Sequence, residues 1–354
     1  MPTASLAPRR LWPFLADFAM LAGMVRPVKC LLRSPSRFGL LFCGALFALP
    51  VAPSIAQDAA NSAPVWVEGK ESLTLMQGEK LAFQYIFRSG RKPIIYPLLS
   101  PGGENLARDY PMKPTEEGGT SDHIHQRSMW FTHGEVNGVD FWAEQDGGGE
   151  IVHQGVESKG VDPSGLATFK ATAKWKVPDG TEILAETKTI GVRSTDAGRM
   201  IDYTIELQAL IDEVHFGDTK EGSFGIRVPD SMMVDRKLGG KIINDQGKAD
   251  KDAWGLRSKW VDYSGPVKDK TYGITVLEHP LSFGAPCRWH VRTYGLFAAN
   301  PFGEFHFIGG DKTDGFRLKK GDSIKLRYRI FLHDGYGDAE QIAKQWVELA
   351  KTDL

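Results

Sequence analysis

Residues 167–177 read ATFKATAKWKV, with an apolar side chain at every second position. Successive side chains of a β-strand point to opposite faces of the sheet, so this alternation predicts a strand with one buried and one solvated face. The same alternation recurs in residues 81–87, 201–207 and 324–332. Strands with one wet face are typical of antiparallel sheets, because parallel sheets are covered on both faces.

Turn-forming residues separate these stretches, and the middle of the chain lacks helical periodicity. The turns are rich in glycine and proline and lie at residues 101–103, 147–149, 178–180, 239–240 and 320–322. Long strands joined by turns, without helices between them, predict an all-β fold, a large antiparallel β-sandwich.

One helix is predicted, close to the C-terminus at residues 338–350. Asp338 is suited to cap its first turn, and Gln341 sits at the reciprocal capping position. Ile342, Trp346 and Leu349 form one apolar face. We expect this helix to seal an edge or an end of the sandwich.

The first 56 residues have the pattern of a secretory signal peptide. Six basic residues precede an apolar run at residues 38–49, and Ser54 and Ala56 provide small side chains at positions −3 and −1 of a cut before Gln57. The apolar run is too short for a permanent membrane anchor. We predict a periplasmic or secreted protein with a signal peptide at 1–56 (Met24 is an alternative start), a linker at 57–64 and a single β-sandwich domain at 65–354.

Net charge and cysteine content limit the classes of protein to which the residues after position 56 can belong. Residues 1–56 hold six of the 43 basic and one of the 44 acidic residues, which leaves the rest with a net charge of about −6. The chain therefore has no basic surface of the kind that binds nucleic acid, and no membrane contact is predicted after cleavage. Cys287 is the only cysteine left, so the mature chain forms no internal disulfide.

Reactive side chains are concentrated in residues 122–142, DHIHQRSMWFTHGEVNGVDFW, which hold three of the nine histidines. If this stretch is extended, His123 and His125 lie on one face of a strand, an arrangement suited to acid/base catalysis or to a metal. The structural alternative is a half-buried strand whose polar residues serve packing.

Polar residues that break the alternating pattern elsewhere are further candidates, because local misfits often mark functional sites. His153 follows a glycine turn and is placed to face His125 across a hairpin. Glu221, where a loop meets the predicted strand at residues 224–228, is a candidate general base. His290 and Arg292 share a face if that stretch is extended.

Aromatic rings next to planar polar groups suit sugar recognition, because rings stack on C–H surfaces and polar groups bind hydroxyls. Trp260 and Trp289 are additional stacking candidates. The predicted catalytic residues are His123, His125, Glu221 and His290. The predicted substrate-binding residues are Arg108, Arg127, Trp130, His133, Asp140, Trp142, His153, Arg227, Arg292 and Asn300.

A metal centre is the alternative use of the same histidines. His123-x-His125 resembles the start of a cupin metal motif, yet the next acid, Glu135, is ten residues further on. A third ligand would come from His153, Glu221 or His290. No other cofactor is predicted.

Four stretches together resemble a family of secreted bacterial domains of uncharacterised function that is labelled methane oxygenase PmoA-like. They are YPLLSPGGENLARDYP at 96–111, the cluster at 122–142, GDTKEGSFGIRVP at 217–229 and YGLFAANPFG at 294–303. The family tends to read His-Pro-His-His in the cluster, where this chain has Ile124 and Gln126. The residues after the leader contain no apolar run long enough for the helices that a membrane oxygenase needs.

The late stretch FRLKKGDSIKLRYRIFLHDG at 316–335 also resembles a strand pair of galactose mutarotase and its relatives. That resemblance implies a large β-supersandwich that binds sugars and moves protons with histidines and a glutamate. It supports our first hypothesis, a carbohydrate-active enzyme that performs epimerisation, β-elimination or hydrolysis. The alternatives are a non-catalytic carbohydrate-binding protein and a metal-dependent hydrolase or oxygenase.

Overall fold

The computed structural model describes residues 63–354, and most strands of this part of the chain belong to two eight-stranded sheets in which all pairings are antiparallel. The predicted signal peptide and most of the predicted linker lie outside the described residues. The domain boundary at residue 65 stays a prediction.

The first sheet contains the N-terminal strands at one edge and brings in later strands at the other. In spatial order its strands are β1 (Pro64–Glu68), β2 (Ser72–Gln77), β3 (Lys80–Ser89), β4 (Lys92–Ile95), β5 (Met129–His133), β11 (Gly222–Arg227), β16 (Leu296–Asn300) and β15 (Arg288–Val291).

The second sheet is built from the longer strands of the middle and the end of the chain. In spatial order they are β12 (Lys241–Asn244), β13 (Trp260–Val267), β14 (Lys270–Glu278), β18 (Ser323–Asp334), β9 (Gly198–Ala209), β8 (Glu182–Thr195), β7 (Ala167–Lys176) and β6 (Glu150–Val161). A separate pair is formed by β10 (Glu213–Phe216) and β17 (Phe316–Lys319).

The alternation that predicted β7 has the expected physical meaning. Phe169 and Trp175 are buried, whereas Thr168 and Lys170 between and beside them are exposed. Apolar residues at a period of two thus form one face of the sheet, and removing that face from water favours folding.

The two sheets pack face to face through aromatic side chains. Phe224 of β11 stacks on Tyr328 of β18 with ring centroids 4.8 Å apart, and it also contacts Tyr203 of β9 at 5.2 Å. Phe131 of the first sheet similarly meets Trp175 of the second. This interface confirms the prediction of a large antiparallel sandwich.

The C-terminal helix is confirmed with its predicted cap. In α2 (Ala339–Leu349), the Asp338 carboxylate accepts hydrogen bonds from the backbone N–H groups of Glu340 and Gln341 at 2.9 and 3.1 Å. Ile342 and Leu349 are buried against the second sheet. The other α-helix, α1 (Phe305–Ile308), has four residues, and single 3-10 turns occupy Asp230–Met232, Val234–Arg236 and Asp250–Ala253. Within residues 63–354, no helix has the length and apolarity that a bilayer crossing requires.

Replacing Phe224 by Ala should destabilise the protein by roughly 3–5 kcal/mol, because it leaves a cavity between the two sheets. Urea denaturation followed by tryptophan fluorescence measures this loss. Val347→Ala, on the exposed side of α2, is the control and should change the free energy of unfolding by less than about 0.5 kcal/mol. Equal effects of the two substitutions would contradict the assigned interface.

Candidate functional site

A cavity of about 420 Å³ opens beside the first sheet, where the loop before β5, the loop before β11 and the strand β15 meet. All four predicted catalytic residues line it, namely His123, His125, Glu221 and His290. Three predicted binding residues also line it, namely Asp140, Trp142 and Arg292. The fold therefore brings together residues that are up to about 170 positions apart in the chain.

His123 and His125 are not on a strand, so the extended geometry that we expected for them is wrong. The chain turns here, with φ of +46° at His123 and a hydrogen bond from the backbone N–H of Gln126 to the carbonyl of His123 at 2.9 Å. The turn still brings the two imidazole rings together, with centroids 5.7 Å apart and planes at 79°.

Buried arginines hold the first half of this turn. Arg108 donates to the Asp122 carboxylate at 2.6 Å and to the carbonyls of Asp122 and His123 at 2.9 and 3.1 Å. Arg227 donates to the same carboxylate oxygen at 3.0 Å. Burial raises the pKa of Asp122, but the charge of Arg227 and the hydrogen bonds from His123 and Arg108 outweigh it and lower that pKa to about 2.

The ionised Asp122 fixes the tautomer of His123. The carboxylate lies 2.7 Å from Nδ1 of His123 and can only accept a hydrogen bond, so Nδ1 carries a proton. The His123 ring stacks on Tyr294 with centroids 5.2 Å apart and planes at 8°. Asp122 and Tyr294 thus orient this imidazole.

A second buried cluster holds the other half of the turn. Lys92 donates to the carbonyl of His125 at 3.0 Å and to the Glu144 carboxylate, and Arg127 donates to both oxygens of Glu144 at 2.9 and 3.1 Å. Burial lowers the pKa of Lys92 to about 8 despite the opposing effect of Glu144. Arg127 therefore serves the loop and does not line the cavity.

His125 is uncharged at neutral pH, and its imidazole is available for contacts with a ligand. Burial, followed by the charges of Lys92 and His123, lowers the pKa of His125 to about 4. Neither ring nitrogen hydrogen-bonds to a residue in the described part of the chain. A neutral imidazole with a free lone pair beside a cavity is suited to accept a proton.

His290 reaches the cavity from β15 in the same protonation state. Its Nδ1–H donates to the carbonyl of Lys220 at 2.7 Å, which leaves Nε2 as the acceptor. Burial lowers the pKa of His290 to about 3, and Trp254 and Phe307 enclose the ring edge-on. His290 and His125 are thus two neutral imidazoles at one cavity.

Glu221 and Arg292 bring charge to the cavity. Glu221 immediately precedes β11 and pairs with Lys220 at 2.6 Å, with about a third of both side chains exposed. Arg292, just after β15, places its guanidinium over the rings of Trp254 and Tyr294, with centroid distances of 4.6 and 5.6 Å. Asp140 accepts hydrogen bonds from the N–H groups of the residues at 142 and 143 and so shapes the rim.

Several predicted binding residues are buried away from the cavity. Trp130 and Trp142 pack against each other and are both covered, so neither ring has a face for a sugar. His133 donates from Nε2 to the carbonyl of Gly217 at 2.8 Å and is inaccessible. Asn300 accepts from the backbone N–H groups of residues 302 and 303, which is a structural role.

His153 is also placed elsewhere. It lies on β6 and stacks on Phe87 with centroids 4.1 Å apart, in a separate hollow, so it does not face His125. Trp260 and Trp289 are buried in the core. Arg108 and Arg227 lie behind the histidine turn, where they hold it and are covered from solvent.

The metal alternative lacks a third ligand. Among residues 63–354, no group of three or more His, Cys, Asp or Glu side chains is arranged to hold a metal ion. Nδ1 of His123 is committed to Asp122 at 2.7 Å. The donor set at this cavity therefore gives no support to the prediction of His123 and His125 as ligands.

Sequence reasoning missed four residues that define the cavity. Gln126, Lys220 and Tyr294 line it, and Trp254 supports Arg292. Tyr294 and Lys220 lie within stretches that were singled out, but nothing in their spacing marked them. Trp254 follows a 3-10 turn and carried no signal.

Comparison with known families gives one match that covers most of the chain. DUF6807, described as a family of unknown function, matches residues 72–347. That description does not refer to methane oxygenation. No curated protein sequence is significantly similar to this chain.

Solved structures share a distant likeness with the chain. A galactose mutarotase-like protein from Lactobacillus casei is 10% identical, with a TM-score of 0.34, 76% of this chain and 100% of that chain covered. A putative aldose 1-epimerase from Escherichia coli is 10% identical, with a TM-score of 0.35, and 77% and 99% covered. The galactosidase domain of an alpha-galactosidase-sucrose kinase is 9% identical, with a TM-score of 0.35; 78% of this chain matches 41% of that one. Likenesses this distant carry no argument about function.

Acid should destabilise the protein through its buried neutral histidines. Burial lowers the pKa of His133 to about 4, from 6.5 in an unfolded chain. The unfolded state therefore binds more protons between these values, so this stabilisation is complete above pH 6.5 and is lost as pH falls to about 4. His133 alone contributes roughly 3 kcal/mol to this pH dependence.

Urea denaturation at a series of pH values measures the effect. His133→Gln should flatten the dependence of unfolding free energy on pH between 6.5 and 4. Ser223→Ala removes the hydroxyl beside Nδ1 of His133 but keeps the imidazole, so it should preserve that dependence. An unchanged slope in His133→Gln would argue against the neutral state of this histidine.

Proposed function

We propose that this chain, which belongs to the DUF6807 family of unknown function, is an enzyme that transfers protons on a carbohydrate by means of histidine side chains. One observation carries the proposal: two neutral imidazoles, His125 and His290, lie at the same cavity with a free ring nitrogen on each. Both rings can accept a proton without first losing one, and their lowered pKa values make them weaker bases than a free imidazole.

The cavity has the size and polarity of a site for a small hydroxylated molecule. A volume of about 420 Å³ lies within the range of ligand pockets. Trp142 is buried, and the ring of Tyr294 packs against His123 and Arg227, so neither ring offers a free face for stacking. Glu221 and Arg292 supply charged groups at the wall of the cavity that can hydrogen-bond hydroxyls. These features support a sugar over a wholly apolar ligand.

The residues divide into bases and positioning groups. His125 would accept the proton, because its ring is free of hydrogen bonds with the described residues. His290 and Glu221 are the candidates for the complementary group on the other side of the substrate. Asp122 would act through His123 by fixing its tautomer. Epimerisation and β-elimination would begin with a proton taken from carbon, whereas hydrolysis would need a base to activate water and an acid to protonate the leaving oxygen.

We also propose that the protein is exported to the periplasm or beyond the cell. The support is the basic and apolar pattern of residues 1–56 in the sequence alone.

Histidine substitution separates an enzyme from a binding protein. In a screen of the purified protein against sugars and oligosaccharides, His125→Gln should lower kcat/KM for any converted substrate by roughly 10²–10⁴-fold while preserving binding. His153→Gln, a histidine outside this cavity, is the control and should stay within about twofold of the original protein. Sugar binding without turnover in the unaltered protein would favour a carbohydrate-binding role.

The pH profile tests which protonation state is active. Because the pKa of His125 is lowered to about 4, kcat/KM should stay level on the acid side down to about pH 4 and fall below it. Initial rates from pH 3 to 8, with fluorescence as a check of folding, measure the profile. An acid limb near pH 6.5 would exclude His125, in this environment, as the base.

A further inference from the structure

Arg292 is unusual among the arginines from residue 63 onward. Its guanidinium group makes no hydrogen bond and no ion pair with the described residues, whereas every other arginine in this range donates at least one hydrogen bond. It is partly buried and lines the cavity. Five N–H donors are therefore available at this site.

Arg292 is nevertheless held in place. The guanidinium lies over the ring of Trp254 at 4.6 Å and over that of Tyr294 at 5.6 Å. Stacking of this kind fixes the plane of the group and leaves its N–H edge free. A fixed planar fork of donors matches a carboxylate, which accepts two parallel hydrogen bonds.

The other charges around the cavity are already compensated. Asp122 is paired with Arg108 and Arg227, and Glu221 is paired with Lys220. The remaining groups follow the same rule, since Glu144 pairs with Lys92 and Arg127, and Asp140 accepts backbone N–H groups. Among the described residues, Arg292 is therefore the one charged side chain at the cavity that has neither an ion-pair partner nor a hydrogen bond.

We propose that the substrate is a uronic acid, and that Arg292 binds its carboxylate in a bidentate pair. This inference rests on the proposed function and names the substrate class of the same cavity. It assigns Arg292 a specificity role that the histidines do not have.

A carboxylate in this position also suits proton abstraction from carbon. The C–H bond next to the carboxylate breaks, the proton goes to the neutral imidazole, and the bonding electron pair spreads onto the carboxylate oxygens. Delivery of a proton from water to the opposite face of that carbon, with loss of the imidazolium proton to water, gives an epimer. Departure of the β-oxygen with its bonding pair, and its protonation by the imidazolium just formed, gives an unsaturated product and restores the neutral imidazole. The guanidinium stabilises the charge that develops on the carboxylate.

Matched pairs of acids and neutral sugars test the substrate class. Isothermal calorimetry on the purified full-length protein would compare galacturonate with galactose, glucuronate with glucose and mannuronate with mannose, each as monosaccharide and disaccharide. At least one acid should bind roughly 10- to 100-fold more tightly than its neutral partner. Arg292→Met, which keeps the apolar stem, should reduce this preference to about twofold or less.

Two further variants control for charge and folding. Arg292→Lys retains the charge but not the fork, so it should keep only part of the preference. Arg88→Met, at an exposed arginine outside the cavity that pairs with Glu150, should bind as the unaltered protein does. The melting temperature of each variant establishes that it is folded. If Arg292→Met does not fold, the reduced preference of Arg292→Lys for acids tests the proposal instead.

The outcomes distinguish this inference from the proposed function. Failure of every acid to bind more tightly than its neutral partner, or a preference that survives the loss of Arg292, would overturn it. Histidine-dependent turnover of neutral sugars with no preference for acids would leave the proposed function standing alone. If the preference for acids depends on Arg292 but turnover does not depend on His125, the inference about the substrate class would stand and the proposed histidine mechanism would fail.

Discussion

Buried cations that donate hydrogen bonds to backbone carbonyls determine the shape of the candidate site. The segment bearing His123 and His125 has no strand partner, so its carbonyls need other donors. Arg108 supplies them at one end and Lys92 at the other. Because a buried cation left unpaired is costly, the charges that hold the turn also require the carboxylates of Asp122 and Glu144 beside them. The shape of the loop and the placement of its charges therefore depend on the same contacts.

The same cations set the chemistry of the imidazoles. Lys92 is close enough to His125 to add to the effect of burial, and both favour the neutral ring. Asp122, kept ionised by two arginines, directs the proton of His123 to Nδ1. The same network of buried charges therefore positions both rings, places a proton on Nδ1 of His123 and favours the neutral form of His125.

The sheets could be predicted from the sequence because burial imposes a period of two on each strand, as β7 and β18 show. The capped helix could be predicted because Asp338 and Gln341 act locally. The meeting of His125, Glu221 and His290 at one cavity was expected from their chemistry, although no local rule determines it. The burial of individual polar and aromatic residues could not be predicted: Trp130 and Trp142 are both covered, whereas His125 in the same stretch is only partly buried and lines the cavity. Such differences depend on tertiary packing, which residue type alone does not encode.

Arg292 has no hydrogen-bonding or charged partner among residues 63–354, and this has a consequence for how the site would change under mutation. A guanidinium that nothing in the described fold neutralises adds little to the stability of the empty protein, so an apolar residue between Trp254 and Tyr294 would be tolerated structurally. Only selection for what the cavity holds would retain an arginine there. In homologous chains that lack the proposed activity, position 292 should therefore vary before the turn at 122–127 does, and its identity would mark which relatives share the proposed ligand.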